Sequence, residues 1–332
     1  MAPAEPLLVW TDPPRELMGF LAQYLALGAA GFYWAVLRPA LRAGGPGSVA
    51  LADSGPRAAR IGLIGALCGA LALLVSGLFR AHLMGLSFSD TMILQRGPIG
   101  MRVALIGAVA LGFALAAGRI TFGWLLAAVT LLVIQLGNLP AVFTGRWFGI
   151  INPVHVLGGS LWLGTLFVMM VAGVGIAFAA NVAQGEKDAA VGTLVQRFSA
   201  VGLTGAGLLG ITGVTTAWRH LHRWSSLWTT SYGWALDAKL VVVCFILGLG
   251  YYHWKKAGPN LRTTEDVATF KVTAWRELKL AGLVLLITSV LVSLPSPRSR
   301  APNEGPPGIE HAGPRPGGPG GPGGPQPSGG RD

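Results

Sequence analysis

The stretch INPVHVLGGSLWLGTLFVMMVAGVGIAFAA, residues 151–180, decides the fold class of this chain. It contains no Asp, Glu, Lys or Arg, and it is longer than the roughly 20 apolar residues with which an α-helix crosses a bilayer. One ionisable group, His155, lies near its beginning. Ionisable side chains are rare in membrane spans and usually functional where they occur, so His155 is the first candidate site residue.

The rest of the chain has the same apolar character. Of its 332 residues, 52% are hydrophobic and 12% are charged, and the mean hydropathy is +0.56. A soluble domain of this size carries more charge on its surface. We therefore predict an all-α, polytopic membrane protein surrounded by membrane lipid. The net charge of +11 lies in short loops between apolar spans, so nucleic acid is not an expected partner.

Apolar windows of about 20 residues predict eight transmembrane helices. They lie near residues 17–37, 61–79, 100–118, 121–140, 153–180, 199–218, 234–254 and 279–295. The third and fourth are separated by Gly118-Arg119-Ile120 alone, which predicts a tight helical hairpin. Lys and Arg are more numerous on the side that holds this turn, so that side is predicted to be cytoplasmic and both termini to lie outside.

The spans divide the chain into four predicted regions. Residues 1–16 are a short outer N-terminal segment, 17–146 a first four-helix membrane half, and 147–297 a second four-helix half. Residues 298–332 are rich in Pro and Gly and have little apolar surface to bury, which predicts a disordered tail.

Small residues in the sixth span predict a point of helix packing. Gly202, Ala206 and Gly210 are spaced four residues apart, so they share one face of a helix. This small-xxx-small pattern lets two membrane helices approach closely.

Histidine and methionine residues lie at the predicted outer ends of several spans. The candidate copper ligands are His155, His82, Met84, His220 and His222, followed by Asp237, Met92 and Met101. Imidazole and thioether groups suit Cu(I), or copper that cycles between Cu(II) and Cu(I), better than they suit Mg or Ca. Apart from His155, each of these histidines and methionines is equally consistent with an ordinary side chain at a membrane interface, and for Asp237 an ion pair is favoured over a metal.

His220 and His222 are two residues apart, which sets a condition on their use as a pair. On a helix their side chains would point about 200° apart, whereas in extended chain they point the same way. The pair is therefore predicted to chelate a metal only if the helix has ended by Trp218.

His155 and Trp162 are seven residues apart, so on a helix they project from one face with Gly158 and Gly159 between them. This spacing predicts a pocket bounded by the imidazole and the indole. The two glycines are equally compatible with close approach of a neighbouring helix. In the seventh span, Lys239 is predicted to extend its ammonium toward the outer surface.

Several function classes are disfavoured because their motifs are missing. The sequence has no Walker A motif, no dinucleotide fingerprint, no HExxH and no Cys-rich metal-binding domain. We therefore predict that the chain is not an enzyme and that any transport is passive or coupled to a gradient. A second interpretation is a haem b electron carrier or oxidoreductase membrane subunit, because histidines on separate helices can ligate haem. A third is a structural subunit of a membrane complex.

The stretch from about Asn152 to Pro297 resembles the CopD family of bacterial inner-membrane copper proteins. The resemblance rests on HVLGGSLWLG from His155, Arg197-Phe198-Ser199 with the Gly-rich helix after it, Thr230-Ser231-Tyr232-Gly233 followed by Leu236 and Lys239, and Glu277-Leu278 before a last helix that ends in Leu294-Pro295. It implies an eight-helix domain in the bacterial inner (plasma) membrane and a role in copper import or copper tolerance. It also implies a separate CopC-type copper carrier as partner on the outer side, and it makes His155 the residue most expected to matter.

Overall fold

The computed structural model describes residues 12–45, 47–94, 96–137, 147–221, 225–252 and 264–294. These residues form helices with short connections, and no strand occurs among them. Together with their apolar composition, this confirms the prediction of an all-α polytopic membrane protein.

Eight long helices lie in the described ranges, one for each predicted span. They are α1 Asp12–Ala43, α2 Ser54–Met84, α3 Arg96–Ala117, α4 Thr121–Leu136, α5 Ile151–Ala179, α6 Gln184–His220, α7 Ser231–Tyr252 and α8 Thr264–Ser293. Segments long and apolar enough to cross a membrane are found in 6 of them, α1 to α3 and α5 to α7, whereas α4 is apolar but shorter. The exact number of crossings, the outer location of the termini and the boundary between the two halves stay predictions.

The turn between α3 and α4 is the tight hairpin that the sequence predicts. Its middle residue, Arg119, has a left-handed backbone with φ of 68°, and its guanidinium contacts the Asp53 carboxylate. A left-handed conformation costs a residue with a Cβ about 1 kcal/mol. Gly112 and Gly123 let the helices pack with their backbones in contact, because a Cβ at either position would overlap the other helix.

The helices pack in an order that places α1 at the centre. The α3–α4 hairpin packs on α2, and α2 packs on α1. On its other sides α1 contacts α5 and α8, while α5 packs on α6 and α7 packs on α8. The main core contains fully buried side chains from these elements, such as Phe32, Val168 and Met169. Helix α1 therefore contacts helices of both predicted halves. Its side chains also line one side of a cavity between α5, α6, α7 and α8.

Glycines set the closest approach between α5 and α6. A Cβ added to Gly158 would lie 2.9 Å from the carbonyl oxygen of Gly205, and a Cβ added to Gly205 would lie 2.7 Å from that of Gly158. The sequence predicted this packing role for another face of α6. Gly210 is exposed with no neighbour within 4 Å of the Cβ position, so its predicted packing role is wrong. Backbone contact follows from the rotation of α6 about its axis, which spacing alone leaves open.

Helix α5 is not a uniform α-helix. It contains two π-helical segments, Ser160–Gly164 and Met169–Val174. A π turn takes in an extra residue, changes the direction of the side chains that follow, and occurs often at functional sites. Trp162 lies inside the first of these segments.

Candidate functional site

Five helices enclose a cavity that contains His155. The cavity has a volume of about 430 Å³ and lies between α1, α5, α6, α7 and α8. We call it the His155 cavity. Its polar lining residues are Glu16, Tyr24, Asn152, His155, Thr216, Arg219, Tyr232, Lys239 and Thr288. The remaining walls are aliphatic or aromatic, an arrangement typical of sites that hold a small ligand.

The imidazole of His155 is oriented by Thr212 on the neighbouring helix α6. His155 Nδ1 lies 2.9 Å from Thr212 Oγ1, and the Thr212 hydroxyl donates a hydrogen bond to the Leu208 carbonyl at 2.6 Å. Since that hydroxyl has one proton, it accepts from His155, which places the imidazole proton on Nδ1. Nε2 then keeps the lone pair and is the ring nitrogen that can bind a ligand.

Charged side chains of both signs line the His155 cavity. Lys239 and Arg219 bring positive charge, and Glu16 brings negative charge. Lys239 lines the same cavity as His155, while Glu16 lies 3.7 Å from the guanidinium of Arg15. Lys239, predicted to extend toward the outer surface, therefore faces the space beside the imidazole. The cavity therefore contains an electron-pair donor, Nε2 of His155, together with charged side chains of both signs.

Trp162 lines the same cavity as His155, and the glycines between them contact neighbouring helices. Gly158 faces α6, as described above, and Gly159 lies against the phenol ring of Tyr24 on α1. A side chain at position 159 would occupy the place of the Tyr24 hydroxyl. Both glycines therefore lie where a neighbouring helix approaches closely, which is one of the two alternatives that the sequence left open. Tyr24 lines the cavity together with the imidazole and the indole.

Four of the other predicted ligands lie outside the His155 cavity. His82 and Met84 at the end of α2 are exposed, as is Met101 on α3, with 44% exposure for Met84 and 63% for Met101. Asp237 on α7 is half-buried and does not line the cavity. Within the described ranges, no group of three or more His, Cys, Asp or Glu residues is close enough to hold a metal ion. The cluster predicted from these residues is not assembled in that part of the chain.

The remaining predicted ligands fall outside what the structure describes. The side chains of Met92 and His220 and the whole of His222 lie outside the described residues. The backbone of α6 is described, and the helix continues to His220 before Leu221 adopts an extended conformation. The condition for chelation by His220 and His222, a helix that has ended by Trp218, is therefore not met.

Sequence reasoning missed Thr212 and Tyr24. Thr212 is 57 residues from His155, and it is one of several threonines in a Gly-rich span, so spacing does not connect the two. Tyr24 lies in the first predicted span, more than 100 residues before the apolar stretch 151–180. A weak signal existed for both, since a hydroxyl inside an apolar span needs a hydrogen-bond partner.

Comparison with known proteins confirms the resemblance seen in the sequence. The model of the CopD family, described as "Copper resistance protein D", matches residues 192–291. This segment includes Thr212, Lys239 and Glu277, whereas His155 precedes it. No solved structure matches the chain.

A relative of known name is also similar to the chain. It is "Copper transport protein CutJ" of Bacillus subtilis (strain 168), which is 30% identical over 150 residues. The alignment covers 45% of this chain and 26% of that protein. The chain thus matches about a quarter of the length of that relative.

Proposed function

We propose that this chain is a copper-handling protein of the bacterial inner membrane that accepts copper in the His155 cavity, for copper import or copper tolerance. One observation carries the proposal. An imidazole held by Thr212, with Nε2 as its ligand-binding nitrogen, lines a cavity between membrane helices. The CopD match over residues 192–291 and the similarity to a copper transport protein support copper as the metal.

The donor set of the cavity suits copper in transit more than copper in storage. Imidazole binds copper in both oxidation states. Conduction through a membrane protein requires a site that attracts the ion yet releases it. A site with one imidazole nitrogen and mostly oxygen-bearing side chains elsewhere in the cavity binds copper less tightly than a cluster of histidines and thiolates. Lys239, which also lines the cavity, repels a cation and favours its release, whereas Glu16 attracts the cation.

The position of the cavity supports loading from the predicted outer side. Its lining includes Glu16 near the start of α1 and Asn152 near the start of α5, together with Leu294 just past the end of α8. These helix ends lie on the side that the distribution of Lys and Arg predicts to be outside. We propose that a soluble carrier of the CopC type delivers copper to this end of the bundle.

Two histidines provide a matched test of the proposal. Cells that express His155→Ala are expected to accumulate copper at the level of cells without the protein, because the ligand in the cavity is lost. His82→Ala, which removes an exposed histidine at the end of α2, is expected to accumulate copper like the wild type. Copper content is measured by atomic absorption at equal membrane expression. Wild-type accumulation by His155→Ala would overturn the role of this residue.

The haem b alternative has less support in the described part of the chain. A bis-histidine haem needs a second axial ligand. Among the described side chains, His155 is the histidine that lines the cavity, and His82 is exposed elsewhere. An absorption spectrum of the purified protein is expected to lack a Soret band. A structural subunit would instead purify without copper, so metal analysis of the same sample separates that alternative from the proposal.

A further inference from the structure

A second cavity lies next to the His155 cavity. It also has a volume of about 430 Å³, and it is lined by parts of α5, α6, α7 and α8. We call it the Glu277 groove. Its walls are mostly aliphatic and aromatic, and its polar lining residues are Ser199, Tyr251 and Glu277. Glu277 is only 3% exposed, so a carboxyl group is placed inside a mostly apolar space.

The two cavities use different lengths of the same helices. On α6 the His155 cavity is lined by residues between 209 and 219, and the Glu277 groove by residues between 195 and 206. On α7 the corresponding ranges are 232 to 246 for the cavity and 247 to 251 for the groove. On α8 they are 284 to 294 for the cavity and 270 to 277 for the groove. The order reverses from one helix to the next, as alternating helix directions require. The cavities are therefore stacked along the axis of the bundle, toward opposite membrane faces.

Trp162 is the lining residue that the two cavities share. Its side chain is 8% exposed, and glycines on two neighbouring helices leave room for it. A Cβ on Gly205 would lie 3.2 Å from Trp162 Cβ, and a Cβ on Gly250 would lie 3.9 Å from Trp162 Cζ2. The same Cβ on Gly250 would lie 3.9 Å from Glu277 Oε1. The indole thus stands between the His155 cavity and the carboxyl group of the groove.

We infer that Trp162 is a gate between two half-channels, and that Glu277 receives a cation that has passed it. A bulky apolar side chain closes a pathway by excluding water and ions. A carboxylate buried beyond it stabilises the cation on the far side, and ionisable groups inside membrane proteins mark such pathways. The identity of the cation rests on the proposed function, whereas the gate does not.

The gate is tested by thiol reactivity in a protein whose native cysteines are removed by Cys68→Ala and Cys244→Ala. Thr288→Cys places a thiol in the His155 cavity, and Ala206→Cys places one in the Glu277 groove. Each variant is reconstituted in oriented vesicles and treated with a membrane-impermeant cationic methanethiosulfonate from one side at a time. We expect Thr288→Cys to react from one side and Ala206→Cys from the other.

Opening the gate should change the side from which the groove is reached. In the Ala206→Cys protein, adding Trp162→Ala is expected to raise the reaction rate from the His155 side at least about tenfold, since the indole no longer excludes the reagent. Trp162→Phe, which keeps an aromatic ring in place, is expected to raise it less and serves as the variant that preserves packing. Ile211→Cys, on the exposed face of α6, is the control and should not react from either side.

Several results would overturn the inference. Ala206→Cys that does not react from either side, or that reacts from the His155 side while Trp162 is present, excludes the gate. So does an unchanged rate in both Trp162 variants. These results do not involve copper, so they leave the proposed function standing. For Glu277, we expect Glu277→Gln to slow copper flux into vesicles while Cu(I) binding at His155 stays at the wild-type value, and unchanged flux would exclude its role.

Discussion

The His155 cavity and the end of the α2 helix contain the same kinds of predicted ligand in different surroundings. At the end of α2, His82 and Met84 are exposed and no described side chain orients them. In the cavity, His155 is half-buried, its Nδ1 is hydrogen-bonded to Thr212, and Lys239 lines the same space. The residue type is the same at both places, so the neighbours decide which imidazole can act as a defined ligand.

The difference concerns preorganisation. A free imidazole at a surface loses rotational freedom and displaces water when it binds a metal, whereas an imidazole already held in one orientation does not. His155 also lies in a cavity between membrane helices, where charges interact more strongly than at an exposed surface. The cavity therefore provides both the ligand and the electrostatic setting, and the α2 end provides ligands alone.

Among substitutions around the two sites, the largest change in Cu(I) affinity is expected from removing the group that orients His155. Thr212→Val should lower the affinity for Cu(I) about tenfold, because the imidazole loses the acceptor that fixes its tautomer. Competition with a chromogenic Cu(I) chelator measures this in the purified protein. Thr212→Ser keeps the hydroxyl and should restore binding. Thr215→Val, on the same helix, removes a hydroxyl that donates to the Ile211 carbonyl and does not line the His155 cavity, so it should have little effect. Equal losses in Thr212→Val and Thr215→Val would mean a general packing defect.

A smaller effect of opposite sign is expected from removing the cation beside His155. Lys239→Gln should raise Cu(I) affinity about fivefold, or ~1 kcal/mol, because the repulsion between the ammonium and the metal is lost. The same chelator competition measures it. Lys271→Gln is the matched control, since Lys271 stacks on Phe178 and does not line the cavity. An affinity that falls in Lys239→Gln would show that the ammonium supports the site.

The smallest effect is expected at the exposed residues. Met84→Leu combined with Met101→Leu keeps the apolar volume and removes both thioethers. Cu(I) affinity should change by less than about twofold, because these side chains are exposed and lie outside the His155 cavity. The measurement uses the protein without a carrier. A loss of Cu(I) affinity as large as that of Thr212→Val would show that the end of α2 also binds copper. The two regions would then not differ in the way described above.

Much of the fold is predictable from the sequence because hydrophobic length is a local property. Each predicted span overlaps one long helix, and the hairpin at Gly118-Arg119-Ile120 is where the sequence places it. Helix ends are less predictable, as α6 shows by continuing to His220. Helix rotation is less predictable still. Gly205 faces α5, although the small-residue pattern favoured the face that carries Gly210.

The sequence was sufficient to predict His155 as a site residue, but not the residues around it that come from other helices. His155 is visible because an ionisable group in a long apolar run is unusual, and Trp162 follows from helical spacing. Thr212, Tyr24 and Glu277 come from three other helices, and their distances along the chain carry no information about their proximity in space. His82 and Met84 were grouped with His155 because they share a predicted membrane side, which is a weaker condition than contact.

By itself, the sequence determined that this protein is a bundle of membrane helices with one unusual histidine and a resemblance to copper proteins. Those conclusions depend on composition, local hydrophobicity and short motifs, which need no knowledge of neighbours. The tertiary structure alone decided that His155 contacts Thr212, that Lys239 shares its cavity, and that Trp162 separates this cavity from the Glu277 groove. These relations depend on how each helix is rotated against the next, and backbone contacts such as Gly158 with Gly205 set that rotation.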